Sequence, residues 1–232
     1  MSTARKRVVI LISGRGSNMN ALIEATGDPA YPAEIVGVIA DNADAKGLSV
    51  AAAQDIETVA ITKADHAEKA AMDEALDAKL KELRADIVCL AGYMRLLSPA
   101  FTEKWAGRLI NIHPSLLPLF KGLDTHERAL KEGMRIHGCS VHFVTAEMDG
   151  GPIIAQAAVP ILPNDDADTL AARVLGVEHQ LYPLALRLVA EGKAQMEDGR
   201  TVLSGVGAEG SLLSPGSASE AVDIESLARM TP

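Results

Sequence analysis

Aromatic side chains are almost missing from this chain: three Phe, three Tyr and one Trp make up 3% of 232 residues, although hydrophobic residues reach 48%. A core without ring stacking must be built from Val, Ile, Leu and Ala, the composition of strands covered by helices on both faces. Cysteine is scarce as well. Cys89 and Cys139 each sit inside an apolar run that reads as a strand, so two buried thiols of a reduced protein are expected rather than a disulfide, and they cannot make a metal site alone. Positive charge is in deficit, with a formal net charge of −9. That works against nucleic acid or an anionic membrane as partner, because both require a positive field. Long hydrophobic runs are lacking too. Arg5, Lys6 and Arg7 precede an apolar stretch as in a secretion signal, but "VVILIS" spans only six residues, too short for a signal core or a membrane span. A cytoplasmic protein is expected. A phosphate-bearing small ligand survives these exclusions, since local donors bind it whatever the global charge.

What the chain does contain is alternation. Apolar runs recur at "RVVILIS" (7–13), "EIVGVIA" (34–40), "ETVAIT" (57–62), "DIVCLAG" (86–92), "RLINIH" (108–113), "CSVHFVTA" (139–146) and "PIIAQAAVPI" (152–161). Between the early runs lie Ala-rich segments at helix spacing, notably 65–84. Strand, helix, strand repeated in this way implies an α/β fold with a doubly wound, mostly parallel sheet. The last two runs are joined by "EMDGGP", too short for a crossover helix, so they are expected to pair antiparallel. A long helix over about 166–192 should then turn Leu170, Val174, Leu175 and Leu181 inward. Residues 1–204 form the expected single domain. From 205 to 232 the chain turns rich in Gly, Ser and Ala, which predicts a weakly ordered tail.

Three segments carry chemistry. "SGRGSN", residues 13–18, follows a strand and opens a helix, where glycines let backbone N–H groups approach a phosphate and where Ser17 and Asn18 can cap the helix. On spacing alone, an ordinary glycine turn is an equal reading. Met19 stands where the dinucleotide pattern wants glycine, which disfavours a nicotinamide cofactor. In "NIHPSLLP" (111–118), Asn111 and His113 point to one face of a strand that Pro114 ends. An amide and an imidazole thus stand together at a carboxyl strand end, where open α/β sheets bind ligands. His113 taken singly reads as a structural histidine, and Asp149 in "EMDGGP" as a solvated turn residue. Side by side they change meaning, because a carboxylate favours the imidazolium. Asn111, His113 and Asp149 would then stabilise negative charge growing on a carbonyl oxygen, as acyl transfer requires. No Ser or Cys nucleophile in a convincing context accompanies them, so direct transfer between two substrates is expected.

Together "SGRGSN", "LAGYMRLLS" (90–98), "NIHPSLLPLFKG" (111–122) and "SVHFVTAEMDGGPIIAQ" (140–156) closely resemble the folate-dependent glycinamide ribonucleotide formyltransferases of purine synthesis, over about 7–195. "HPSLLP" and "DGGP" are shared with the methionyl-tRNA formyltransferases and the formyltetrahydrofolate deformylases. Those carry an additional RNA-binding or regulatory domain for which this chain has no length, and its acidity also argues against tRNA. The resemblance implies a Rossmann-like formyltransferase fold. It also implies that Gly16, Ser17 and Asn18 hold the ribonucleotide phosphate, and that Glu178 in "GVEHQLYP" holds the glycinamide amine. By the same resemblance Met94, Arg95, Leu96 and Leu97 receive the pterin ring and Asn111 touches the formyl group. Read alone, "YMRLL" is core plus a surface arginine, and Glu178 a solvated helix charge. Where the family often has an arginine contacting folate near the start of the 65–84 helix, this chain offers only His66 or Lys69.

The implied reaction is attack by the amine of glycinamide ribonucleotide on the formyl carbon of 10-formyltetrahydrofolate, the co-substrate. Small-molecule partners, no metal, and a monomer or homodimer are expected. Hydrolysis of the formyl-folate, or a non-catalytic nucleotide- or folate-binding module, are the alternatives.

Overall fold

The alternation in strand β1, Lys6–Ile12, shows how the layers are arranged: Val8, Ile10 and Ile12 enter one apolar core, Val9 and Leu11 the other. In this computed structural model the described residues are 4–207, apart from residue 67. Helix α1 (Ser17–Thr26) returns the chain to β2 (Ala33–Ala40), and α2 (Lys46–Ala52) leads to the short β3 (Thr58–Ala60). Helix α3 (Lys69–Glu82) then crosses to β4 (Ile87–Leu90), and α4 (Pro99–Lys104) to β5 (Leu109–His113). Helix α5 (Thr125–Lys131), strands β6 (Ile136–Phe143) and β7 (Ile153–Pro160), and the long α6 (Ala167–Ala190) complete the main body.

The seven strands are ordered β3-β2-β1-β4-β5-β6-β7. Neighbours from β3 through β5 are parallel, whereas β6 is antiparallel to both β5 and β7. The expected antiparallel pair is therefore one reversed strand, and β7 runs with the parallel set again. Strand order reverses between β1 and β4, which opens the crevice at their carboxyl ends where doubly wound sheets bind ligands.

Each face is covered by helices whose apolar stripes follow from their sequences. Met19 and Leu22 of α1 and Leu170, Val174, Leu181 and Leu186 of α6 pack on one side. Leu76 and Leu80 of α3, Phe101 of α4 and Trp105 pack on the other. A capping box between Asp166 and Thr169 starts α6. The Tyr182 hydroxyl lies within hydrogen-bonding distance of two strand carbonyls, Leu90 O at 2.9 Å and Ile110 O at 3.1 Å, tying α6 across β4 and β5. Both cysteines are free and buried, and burial pushes their thiols up to about 12.

Several expectations are corrected. The helix foreseen over 65–84 begins at Lys69, because Thr62 and Asp65 close a turn ahead of it through a 2.7 Å hydrogen bond. Leu175 is only half-buried, since the 170-174-178-182-186 row of α6 faces the core and 175 falls on its flank. Residues 120–124 lead into α5, which buried Ala129 anchors. A hairpin of β8 (Ala194–Glu197) and β9 (Arg200–Leu203) follows α6; its four-residue strands are too short to form an apolar run. Most of the tail expected from 205 falls on 208–232, outside the described residues. No helix among the described residues is long and apolar enough to cross a membrane.

Candidate active site

The loop after β1 turns at Gly16, whose φ of 75° places it in the left-handed region as N-cap of α1. A side chain there would be strained and would also press on Met19, 3.0 Å from an added Cβ. The capping expected of Ser17 or Asn18 does not occur: both lie inside the first turn, and no side chain caps the helix. First-turn N–H groups therefore have no side-chain cap, the condition in which a helix N-terminus can accept an anion. Asn18 instead turns its Nδ2 to donate to Glu178 Oε2 at 2.7 Å, joining α1 to α6. Glu178 is only 6% exposed, and burial raises its pKa while the Asn18 hydrogen bond opposes the rise. It is no solvated helix charge.

Antiparallel pairing of β5 with β6 sets Asn111 opposite His142 and His113 opposite Ser140. Asn111 Nδ2 lies 3.2 Å from His142 Nε2, and His142 Nδ1 lies 2.8 Å from the carbonyl of Phe143. These contacts assign the proton of a neutral ring to Nδ1 and leave Nε2 to accept from the amide. Burial pushes the His142 pKa down, consistent with the neutral ring. The amide of Asn111 is thereby oriented with a second N–H still available. Strand β5 alternates as expected, with Ile110 and Ile112 in the α6-side core.

The turn between β6 and β7 carries Asp149 at φ 49°. Beyond it Gly151 passes so close to β6 that an added Cβ would lie 1.8 Å from the Phe143 carbonyl oxygen. The bare backbone is what allows the turn to fold back and present the carboxylate. Asp149 Oδ2 reaches within 3.4 Å of His113 Nδ1 and accepts from Gly122 N at 2.9 Å. On the other side of the ring, His113 Nε2 meets the Phe120 carbonyl at 3.0 Å. Both ring nitrogens thus face acceptors. The 114–119 segment is fixed below by Ser140, whose Oγ donates to Ser115 O at 2.7 Å and accepts from Leu117 N at 3.0 Å.

Beside this cluster runs a cleft of about 270 Å³, lined by Tyr93 to Leu97, Asn111, His142 and the 144–149 turn. Met94 is 65% exposed and Leu96 57%, so they are not core residues. Segment 92–98 belongs to no helix or strand. Its first part is tied to the glycine loop after β1, where Met94 N donates to Ser13 Oγ at 2.8 Å and Ser13 N donates to Gly92 O at 3.1 Å. Lys69 also lines the cleft, and His66 borders a neighbouring cavity with Lys69 and Arg95.

Asn111, His113, Asp149 and the 94–97 segment converge, and Glu178 meets the glycine loop through Asn18. Two contributors escaped the sequence: His142, hidden in an apolar strand but findable from the antiparallel register with 110–113, and Asp73, whose side chain reaches Arg95. A family model described as formyl transferase matches residues 6–186. The phosphoribosylglycinamide formyltransferase of Haemophilus influenzae is 41% identical over 200 residues, covering 86% of this chain and 94% of that protein. A crystal structure of the phosphoribosylglycinamide formyltransferase from Brucella melitensis superposes with a TM-score of 0.78 at 59% identity, covering 80% of this chain and 96% of that one. The trifunctional purine biosynthetic protein adenosine-3 of Bos taurus is 48% identical over 197 residues; these cover 84% of this chain but only 20% of that protein's length. The match spans the parallel strands, the 111–118 strand end and the turn bearing Asp149, and the chain belongs to the formyl transferase family.

Proposed function

We propose that this chain transfers the formyl group of 10-formyltetrahydrofolate to the amine of 5-phosphoribosylglycinamide, a step of purine synthesis. The observation that carries the proposal is the meeting of His113, Asp149 and Asn111 between two half-sites of different chemistry. On one side lies the Gly16 loop with buried Glu178, suited to a phosphorylated amine. On the other lies the cleft with Met94 and Leu96 at its edge, suited to a flat heterocycle. All these residues lie within 1–204, which we take as the catalytic unit.

In the first step the amine nitrogen attacks the formyl carbon, and the carbonyl π pair moves onto oxygen. Asn111, through its free N–H, and protonated His113 stabilise that oxyanion; for His113 this requires Nε2 to exchange the Phe120 carbonyl for the substrate oxygen. Collapse of the tetrahedral intermediate breaks the bond to N10 of the folate. The proton lost by the amine, relayed through Asp149, ends on N10. Gly16, Ser17 and Asn18 bind the phosphate, Glu178 holds the amine, and Met94, Arg95, Leu96 and Leu97 receive the pterin ring. Each oxyanion donor is worth about 3 kcal/mol, or two to three decades in rate. His142 acts through Asn111, as the buried base that aims its amide.

The test is to follow formyl loss from 10-formyltetrahydrofolate with and without glycinamide ribonucleotide. Transfer predicts loss only when the ribonucleotide is present, with formylated ribonucleotide as product. Equal loss without it, with formate released, would mean hydrolysis instead.

A further inference from the structure

Helix α3 carries Lys69, Asp73 and Asp77 four residues apart, so all three project from one face. An acid at such a position reads as a solvated charge, yet Asp73 and Asp77 are both buried. Asp77 is explained by the fold: Trp105 Nε1 donates to it at 3.1 Å, and Lys81 pairs with it at 2.8 Å. Asp73 is spent differently. Its Oδ2 accepts from Ser98 N at 3.0 Å, and its Oδ1 lies 2.7 Å from Arg95 Nη1. That approach is close but poorly aligned for a hydrogen bond, and both terminal nitrogens of Arg95 are buried without a hydrogen-bond partner among the described residues. The attraction is therefore mainly Coulombic, in a site shielded from water. Arg95 in turn donates from Nε to the Tyr93 hydroxyl at 3.1 Å and lies over that ring at 5.8 Å from its centroid.

These contacts matter because of what they hold. Between the end of β4 and the start of α4 the chain has no ladder partner, and it is fixed at its near end by Ser13 and at its far end by Asp73. Among the described residues, backbone N–H groups of Arg95, Leu96 and Leu97 have no protein hydrogen bond. Their direction is thus set by the two anchors rather than by secondary structure.

We propose that Asp73 is the positioning residue of the folate half-site: through Arg95 and the Ser98 amide it sets the path of segment 94–98, and so aims the backbone that lines the cleft. The inference rests on the formyl-transfer function proposed above. It separates Asp73 from Asp77, which serves the fold alone.

The experiment measures binding of tetrahydrofolate and of glycinamide ribonucleotide by calorimetry, with steady-state kinetics alongside, for wild type, Asp73→Asn, the neutral pair Asp73→Asn with Arg95→Gln, and Asp77→Asn. Both Asp73 variants are expected to weaken folate binding and raise its KM about tenfold or more, with ribonucleotide affinity within twofold of wild type. The double variant guards against instability from an unpaired buried guanidinium. Asp77→Asn is expected to leave folate affinity unchanged. Unaltered folate affinity in both Asp73 variants overturns the inference, as does an equal loss in Asp77→Asn. If the wild type binds neither substrate, the proposed function fails first and takes this inference with it.

Discussion

Nδ1 of His113 stands 3.4 Å from Oδ2 of Asp149, and the same oxygen accepts a hydrogen bond from the Gly122 amide at 2.9 Å. The carboxylate is therefore held by backbone on one side and faces the imidazole on the other. Such preorganisation lets an electrostatic site act without rearranging as charge develops. Asn111 completes it from the neighbouring position of the same strand face, held by His142.

Removing that amide should damage the chemical step alone. Asn111→Ala is expected to lower kcat by about two to three decades while the affinity for glycinamide ribonucleotide stays near wild type. Steady-state kinetics with equilibrium binding of the ribonucleotide checks both halves of the expectation.

Glu178 predicts a conflict between stability and binding. Burial raises its folded pKa above its unfolded value, so its stabilising contribution is present below the ordinary carboxyl range and is lost as pH rises through the folded pKa. Glu178→Gln keeps the Asn18 contact without the buried charge. At neutral pH it should melt above wild type, by about 2–4 °C for each kcal/mol recovered, and the difference should vanish near pH 4. The same variant should raise the KM for the ribonucleotide. Melting curves across pH, with kinetics at pH 7.5, test the pair.

Acid should destabilise the protein through its buried and half-buried histidines. Burial lowers the pKa of His126 and His142 and takes His137 to about 4. Each stays neutral while the unfolded chain takes up protons, so stability is complete above about pH 6.5 and falls as pH drops toward the folded values. For His137 the loss is on the order of 2 kcal/mol by pH 5. Denaturant titrations at pH 7.5 and pH 5 should show a smaller fall for His137→Gln than for wild type.

The turn carrying Asp149 depends on an absent side chain. A Cβ at Gly151 would lie 1.8 Å from the Phe143 carbonyl, so Gly151→Ala must separate β6 from β7 or unseat Asp149. A lower melting temperature together with at least tenfold slower turnover is expected, measured on the same preparation.

Much of this is legible in the sequence. Strands buried on both faces leave apolar runs, and seven of them marked the sheet; alternation along "NIHP" put Asn111 and His113 together, as β5 does. Glycines around Asp149 marked a turn because only bare backbone passes so near Phe143. What escaped was information held between segments. His142 lies in a run whose pattern says core, and its role exists only through the register with Asn111. Asp73 and Glu178 lie on helix faces where an acid usually meets water; burial of both depends on what packs opposite. The β8–β9 hairpin, which turns at Asp198 and Gly199, has strands of four residues each, too short for an apolar run to mark them.

The central claim is that Asp149 works on the reacting centre through His113, and Asp149→Asn tests it most directly. With both substrates saturating, kcat for formylated ribonucleotide should fall by about two to three decades, while the melting temperature and the KM for the ribonucleotide stay near wild type. A variant that turns over at the wild-type rate would contradict the account.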